Sequence, residues 1–162
     1  MKKVITAVSA FAAIANLSAY ANTPANAQAA ASVSTAATCA ATSTQEIAGL
    51  FDRWNTSLAT LSPDKVVANY AQDGVLLPTV SNKPRTNHAE MRDYFVKFLA
   101  AKPQGVINTR TIKIGCNLAQ DIGTYTFTFG DGKKVAARYT YVYERQGNQW
   151  LIAHHHSSAM PE

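Results

Sequence analysis

The sequence predicts an α+β domain in which three helices precede and pack on one face of a strongly curved antiparallel sheet. Two observations carry this. Apolar residues recur at helical spacing only before Gly105, whereas every later segment alternates apolar and polar residues between turn signals. Helices placed ahead of a long meander are the arrangement of an α+β layer structure.

The first helix is read from "STQEIAGLFDRWNTSLATL". Ser43 with Glu46 three residues on is a capping-box pattern, and Ile47, Leu50, Phe51, Trp54, Leu58 and Leu61 form the apolar face. Ser62 as N-cap and Pro63 as first helical residue open a short second helix. Asp73-Gly74 reads as a turn that ends it and feeds the strand "VLLPTV". After the loop "SNKPRTN", the segment "HAEMRDYFVKFLA" supplies a third helix, with Met91, Tyr94, Phe95, Phe98 and Leu99 on its apolar side and Pro103 and Gly105 beyond its end.

The strands follow in order. "VINTRTIKIGCNL" alternates, and "IGTYTFTFG" places Tyr125, Phe127 and Phe129 on one face against Thr124, Thr126 and Thr128. Asp131-Gly132 is a hairpin turn leading to "KVAARYTYVYER". A turn at Gln146-Gly147-Asn148 leads to the last strand, "QWLIAHHHSS".

Upstream of the body, residues 1–21 read as a secretory leader: Lys2 and Lys3, an apolar run to Leu17, then a small-x-small site at Ala19 and Ala21, with a second site ending at Ala27. The run falls short of the roughly 20 residues that a membrane-spanning helix needs. Residues 22–42, almost wholly Ala, Ser, Thr, Asn and Gln, read as a flexible lead-in, and 43–162 as one domain. The expectation is an exported, periplasmic protein without a membrane anchor once the leader is removed. Loss of Lys2 and Lys3 takes the net charge from +5 to about +3. The remaining basic residues form no stripe, which excludes a nucleic-acid-binding surface. In an oxidising compartment Cys39 and Cys116 are expected to form one bridge.

The segments "DGVLLPTVSN", "YFVKFLA" and "ARYTYVYERQGNQWLIAHHHSSAMPE", in this order of elements, resemble the SnoaL-like or nuclear-transport-factor-like superfamily. More narrowly the chain resembles bacterial relatives of the association (hub) domain of calcium/calmodulin-dependent protein kinase II. That resemblance covers the body from about Ser43 onward. It implies a cone-shaped, cystatin-like roll with a pocket at its open end, and a homodimer or higher homo-oligomer joined through the sheet. It also implies that the arginines lining the eukaryotic hub pocket fall at Phe127, Tyr141 and Ser157 here, all three replaced.

Strand parity in the last hairpin nominates the pocket residues. With Tyr143 opposite Leu151, one face carries Tyr139, Tyr141, Tyr143, Leu151, Ala153, His155 and Ser157, and the other carries Arg138, Thr140, Val142, Trp150, Ile152, His154 and His156. A turn one residue tighter exchanges the two sets of the final strand. The resemblance to the hub domain favours the first register, which gives a ligand-binding set of Tyr94, Tyr125, Phe127, Tyr139, Tyr141, His155 and Ser157. His155, Tyr139 and Tyr141 are the catalytic candidates, should the site be catalytic.

Three consecutive histidines cannot converge on one metal, because neighbours on a strand point to opposite faces. His154 and His156 share a face but lack the third ligand of a catalytic zinc, so no metal is expected. No Gly-rich dinucleotide loop is present and no cofactor is expected. Trp54 and Trp150 read as core or interface, Arg138 and Arg110 as paired mid-strand charges, and Asp52 and Arg53 as a solvated helix edge.

Two functions remain. One is a non-catalytic, exported module that assembles through its sheet and holds a small organic molecule. The alternative is a SnoaL-like isomerase, dehydratase or cyclase with His155 as general base and Tyr139 or Tyr141 polarising a carbonyl.

Overall fold

The structure, a computed structural model, describes residues 38–39, 41–79 and 81–161. The leader, and nearly all of the lead-in, lie outside the described residues.

Helix α1, Thr44–Ala59, starts where Ser43 accepts a hydrogen bond from the Glu46 amide. It buries Ile47, Leu50, Phe51, Trp54 and Leu58. Leu61 does not join that face. It follows the helix end with φ 54° and is 49% exposed. Arg53 is no idle helix edge either: its guanidinium donates to Asn69 Oδ1 at 3.0 Å and to the Trp150 carbonyl at 2.7 Å, which ties the helix to the sheet. Helix α2, Pro63–Val67, is capped by Ser62. Helix α3, His88–Ala100, is capped by Asn87 and buries Met91, Phe95 and Leu99.

Strands β1 (Tyr70–Leu77), β2 (Gln104–Ile114), β3 (Leu118–Thr128), β4 (Lys134–Gln146) and β5 (Gln149–Ala159) form one curved sheet in the order β1-β5-β4-β3-β2. β2 to β5 are an antiparallel meander, but β1 joins the edge of β5 in parallel. Asp73-Gly74 is therefore not a turn. It lies inside β1, in a bulge where the partners step from Tyr70↔Ile152 to Val75↔His154. A Cβ on Gly74 would meet the Ile152 carbonyl oxygen at 2.9 Å and that of Ala71 at 3.0 Å, so only glycine permits this approach.

The last hairpin departs from the favoured register, which puts Leu151, Ala153 and His155 opposite Tyr143, Tyr141 and Tyr139. It follows the tighter turn near the loop and recovers the favoured parity, two residues displaced, farther along. A tight turn at Gly147-Asn148 pairs Gln146 with Gln149 and Tyr143 with Ile152. The register then slips, so that Tyr141 pairs with His155 and Tyr139 with Ser157. One extra residue at Ala153 reverses the parity of β5 midway. Trp150 and Ile152 consequently join His155 and Ser157 on the buried face, while Leu151 and Ala153 do not.

Cys39 and Cys116 form the expected disulfide across a separation of 77 residues, beside a hydrogen bond from Asn117 Nδ2 to the Thr38 carbonyl. Closing so long a loop restricts the unfolded chain. The Cys39→Ser/Cys116→Ser variant should lose about 2–4 kcal/mol in urea denaturation, and an unchanged midpoint would contradict this.

Candidate functional site

The concave face of the sheet is paved with rings. Tyr125 and Phe127 come from β3, Tyr139, Tyr141 and Tyr143 from β4, and Phe51 and Trp54 of α1 lie over them. Between this surface, α3 and the chain leaving β1 remains a hollow of about 50 Å³. Tyr94, Phe98, Phe127 and Phe129 form its aromatic wall, to which Tyr94 brings a hydroxyl; Thr79, Tyr125, His155 and Ser157 are the hydrogen-bonded polar residues of its lining. No charged side chain is among its lining residues.

The polar atoms form a connected row. Trp54 Nε1–H donates to the Tyr70 hydroxyl at 3.2 Å, and that hydroxyl lies 3.0 Å from His155 Nδ1. His155 Nε2 lies 3.4 Å from the Tyr125 hydroxyl, which donates to Ser157 Oγ at 2.6 Å. Ser157 Oγ in turn bonds Thr79 Oγ1. Because indole N–H is only a donor and the Tyr125 hydroxyl spends its one proton on Ser157, the chain acquires a direction. Tyr70 accepts from Trp54 and gives its own proton to Nδ1. The imidazole is then neutral with its proton on Nε2, directed at Tyr125.

Burial enforces that neutral state. His155 is 3% exposed, its ring is stacked 4.0 Å from that of Tyr141, and Trp54 presents an edge at 5.5 Å. Desolvation, with smaller contributions from His154 and His156, pushes its pKa down to about 3. Burial likewise raises the Tyr70, Tyr125 and Tyr141 hydroxyls above the usual phenol range, and Tyr94 to about 12.

Of the residues expected from sequence, Tyr94, Tyr125, Phe127, His155 and Ser157 meet at the hollow. Tyr139 and Tyr141 do not reach it. Tyr141 backs the imidazole, and its buried hydroxyl has no hydrogen-bond partner among the described residues. Tyr139 donates to Asp121 Oδ1 at 2.8 Å. Arg110 Nε completes that group, 3.2 and 3.1 Å from the two carboxylate oxygens, with its guanidinium over the Phe51 ring. Burial raises the pKa of Asp121 against the opposing pull of Tyr139 and Arg110.

His154 is half-buried and His156 exposed, both off the concave face. Arg138 is exposed and donates to the Ala159 carbonyl at 3.4 Å. No cluster of three or more metal-ligating side chains occurs among the described residues.

Tyr70 and Thr79 were not expected at the site. Tyr70 begins the strand that sequence starts at Val75, and Thr79 lies just past its end. The chain beyond Thr79 is held close by paired backbone bonds between Leu76 and Arg85 and by Arg85 lying 5.7 Å over the Tyr94 ring.

A sequence profile of the calcium/calmodulin dependent protein kinase II association domain matches residues 43–161. The chain belongs to that family. Among solved structures it is similar to a Xanthomonas campestris protein assigned by name to the same domain, with 50% identity over 78% of this chain and 98% of that one, at a TM-score of 0.72. Two distant structures share the fold alone. A Pseudomonas putida NTF2-like protein of unknown function is 22% identical over 73% and 87% of the two chains, TM-score 0.65. A Streptomyces avermitilis protein assigned by name as an NTF2-like dehydratase is 11% identical over 73% and 96%, TM-score 0.65. No curated protein is significantly similar. In this association-domain protein, two of the three positions that the resemblance matches to hub arginines, Phe127 and Ser157, line the hollow without charge.

Proposed function

We propose that this protein is an exported, oligomeric association-domain module that holds a small organic molecule in its aromatic hollow without transforming it. The state of His155 carries this reading. Both ring nitrogens are engaged, Nδ1 by Tyr70 and Nε2 by Tyr125, and burial leaves the ring a poor base at neutral pH. A general base needs a free lone pair and a pKa near the working pH. The isomerase, dehydratase or cyclase reading also needs Tyr139 or Tyr141 beside the substrate, and neither lines the hollow.

Export is supported by the leader pattern and the disulfide, and no helix among the described residues is long and apolar enough to cross a membrane. Assembly is supported by family membership and by the half-buried Ile122, Val142, Leu151, Ala153 and His154, none of which the hollow uses.

Ala137→Val tests the binding role, because Ala137 lines the hollow and two added methyls would fill it. Saturation-transfer NMR with a set of short-chain neutral organics should show contact with the wild-type protein and none with the filled variant. Equal transfer to both would place binding elsewhere. Light scattering should report a dimer or larger; a strict monomer at micromolar concentration contradicts the assembly role.

A further inference from the structure

Resting on that proposed binding role, we infer that the hollow selects an uncharged, apolar molecule with a single hydrogen-bond acceptor, such as a short ketone or ether, and receives its acceptor at the Thr79–Ser157 hydroxyl pair. The argument is a count of protons. Trp54 Nε1, Tyr70, neutral His155, Tyr125, Ser157 and Thr79 each bring one polar proton, six in all, to a row of five hydrogen bonds. The row starts at an indole that can only donate and Tyr125 gives its proton onward to Ser157, so each proton points the same way and the surplus one emerges at the far end. Whichever of Ser157 and Thr79 donates to the other, one O–H of the pair is left over. The Tyr125 oxygen, which already accepts the imidazole N–H, also takes a side-chain hydrogen bond from Thr79, so an incoming acceptor receives the surplus proton by displacing that second contact.

The rest of the lining fixes the class of molecule. The wall is built from Tyr94, Phe98, Phe127 and Phe129, with no side chain able to neutralise a carboxylate or an ammonium group. A buried ion without a partner is strongly disfavoured. Size narrows the choice further: a cavity of about 150 Å³ accommodates benzene, whereas about 50 Å³ is available here. The acceptor-bearing end must therefore be slender.

Calorimetric titration of the full chain with 2-pentanone, pentane, pentanoate and butylamine separates the outcomes. The ketone should bind about fivefold to tenfold more tightly than the alkane, the gain expected of one neutral hydrogen bond, and the two ions should not bind. Amide shifts should centre on Thr79, Tyr125 and Ser157. Thr79→Val leaves the surplus proton on Ser157 and should keep the ketone preference. Thr79→Val/Tyr125→Phe/Ser157→Ala removes the pair together with the next hydroxyl of the row that lines the hollow, and should cut the preference below about twofold. Pentane or either ion binding as well as the ketone, or a preference that survives the triple variant, overturns the inference and leaves the binding role standing. Failure of all four probes to bind removes the binding role itself.

Discussion

Gly123→Ala should destabilise the domain by about 3 kcal/mol or more, among the largest effects of any single methyl in this protein. A Cβ at Gly123 would stand 1.9 Å from the Thr109 carbonyl oxygen and 2.7 Å from its carbon, with the Tyr139 hydroxyl at 3.1 Å. The first two obstacles are backbone, so no rotamer relieves them. The close approach arises at the bulge in β2, where the partners step from Ile107↔Tyr125 to Thr109↔Thr124. Such a bulge bends its strand, and this one lets the far edge of the sheet turn toward α1. Gly49→Ala is the matched control. It lies in α1 with nothing within 4 Å of the added methyl, and should stabilise by about 0.5–1 kcal/mol. Urea denaturation followed by circular dichroism compares them. A Gly123→Ala midpoint equal to wild type would mean that β2 does not fold in against β3 as described.

The second large effect is acid sensitivity centred on one imidazole. Unfolded, His155 titrates near its ordinary value of 6.5; folded, near 3. Above pH 6.5 both states are neutral and stability is independent of this group. Between 6.5 and 3 the unfolded chain takes up a proton that the folded one refuses, so stability falls as pH falls. The slope approaches about 1.4 kcal/mol per pH unit, or about 2 kcal/mol between pH 7 and pH 5. His154, whose pKa burial also lowers, adds in the same direction. His155→Gln keeps an amide donor and a carbonyl acceptor in place of the two ring nitrogens but does not titrate. Its stability should be flatter by about 2 kcal/mol over that interval. Parallel pH profiles for the two proteins would show that His155 is not the buried neutral group described above.

Much of the fold was legible because local chemistry and tertiary structure agree. The Ser43 and Ser62 caps, the apolar stripe of α1 and the Gly132 and Gly147 turns lie where periodicity and turn chemistry put them. Two of the failures share one cause, a bulge in a strand. A single extra residue at Ala153 makes two incompatible parity schemes each correct over half of β5. The bulge at Asp73-Gly74 disguises a strand as a turn and hides Tyr70, and with it the hydroxyl that engages the histidine. A bulge leaves no periodic trace in a short strand, since its position is set by close contacts with neighbouring strands. Tyr139 was assigned to the right face but the wrong place along it. Its hydroxyl turns to Asp121, a buried acid that strand alternation alone gives no reason to notice.

The most direct test of the site is the ¹⁵N spectrum of the His155 imidazole, followed by NMR from about pH 8 to pH 5. A neutral ring is predicted throughout, with the proton on Nε2 and the lone pair on Nδ1, and no titration across the range where a free histidine gains its charge. A midpoint near pH 6.5, or a proton resident on Nδ1, would contradict the directed row of hydrogen bonds from Trp54 to Thr79.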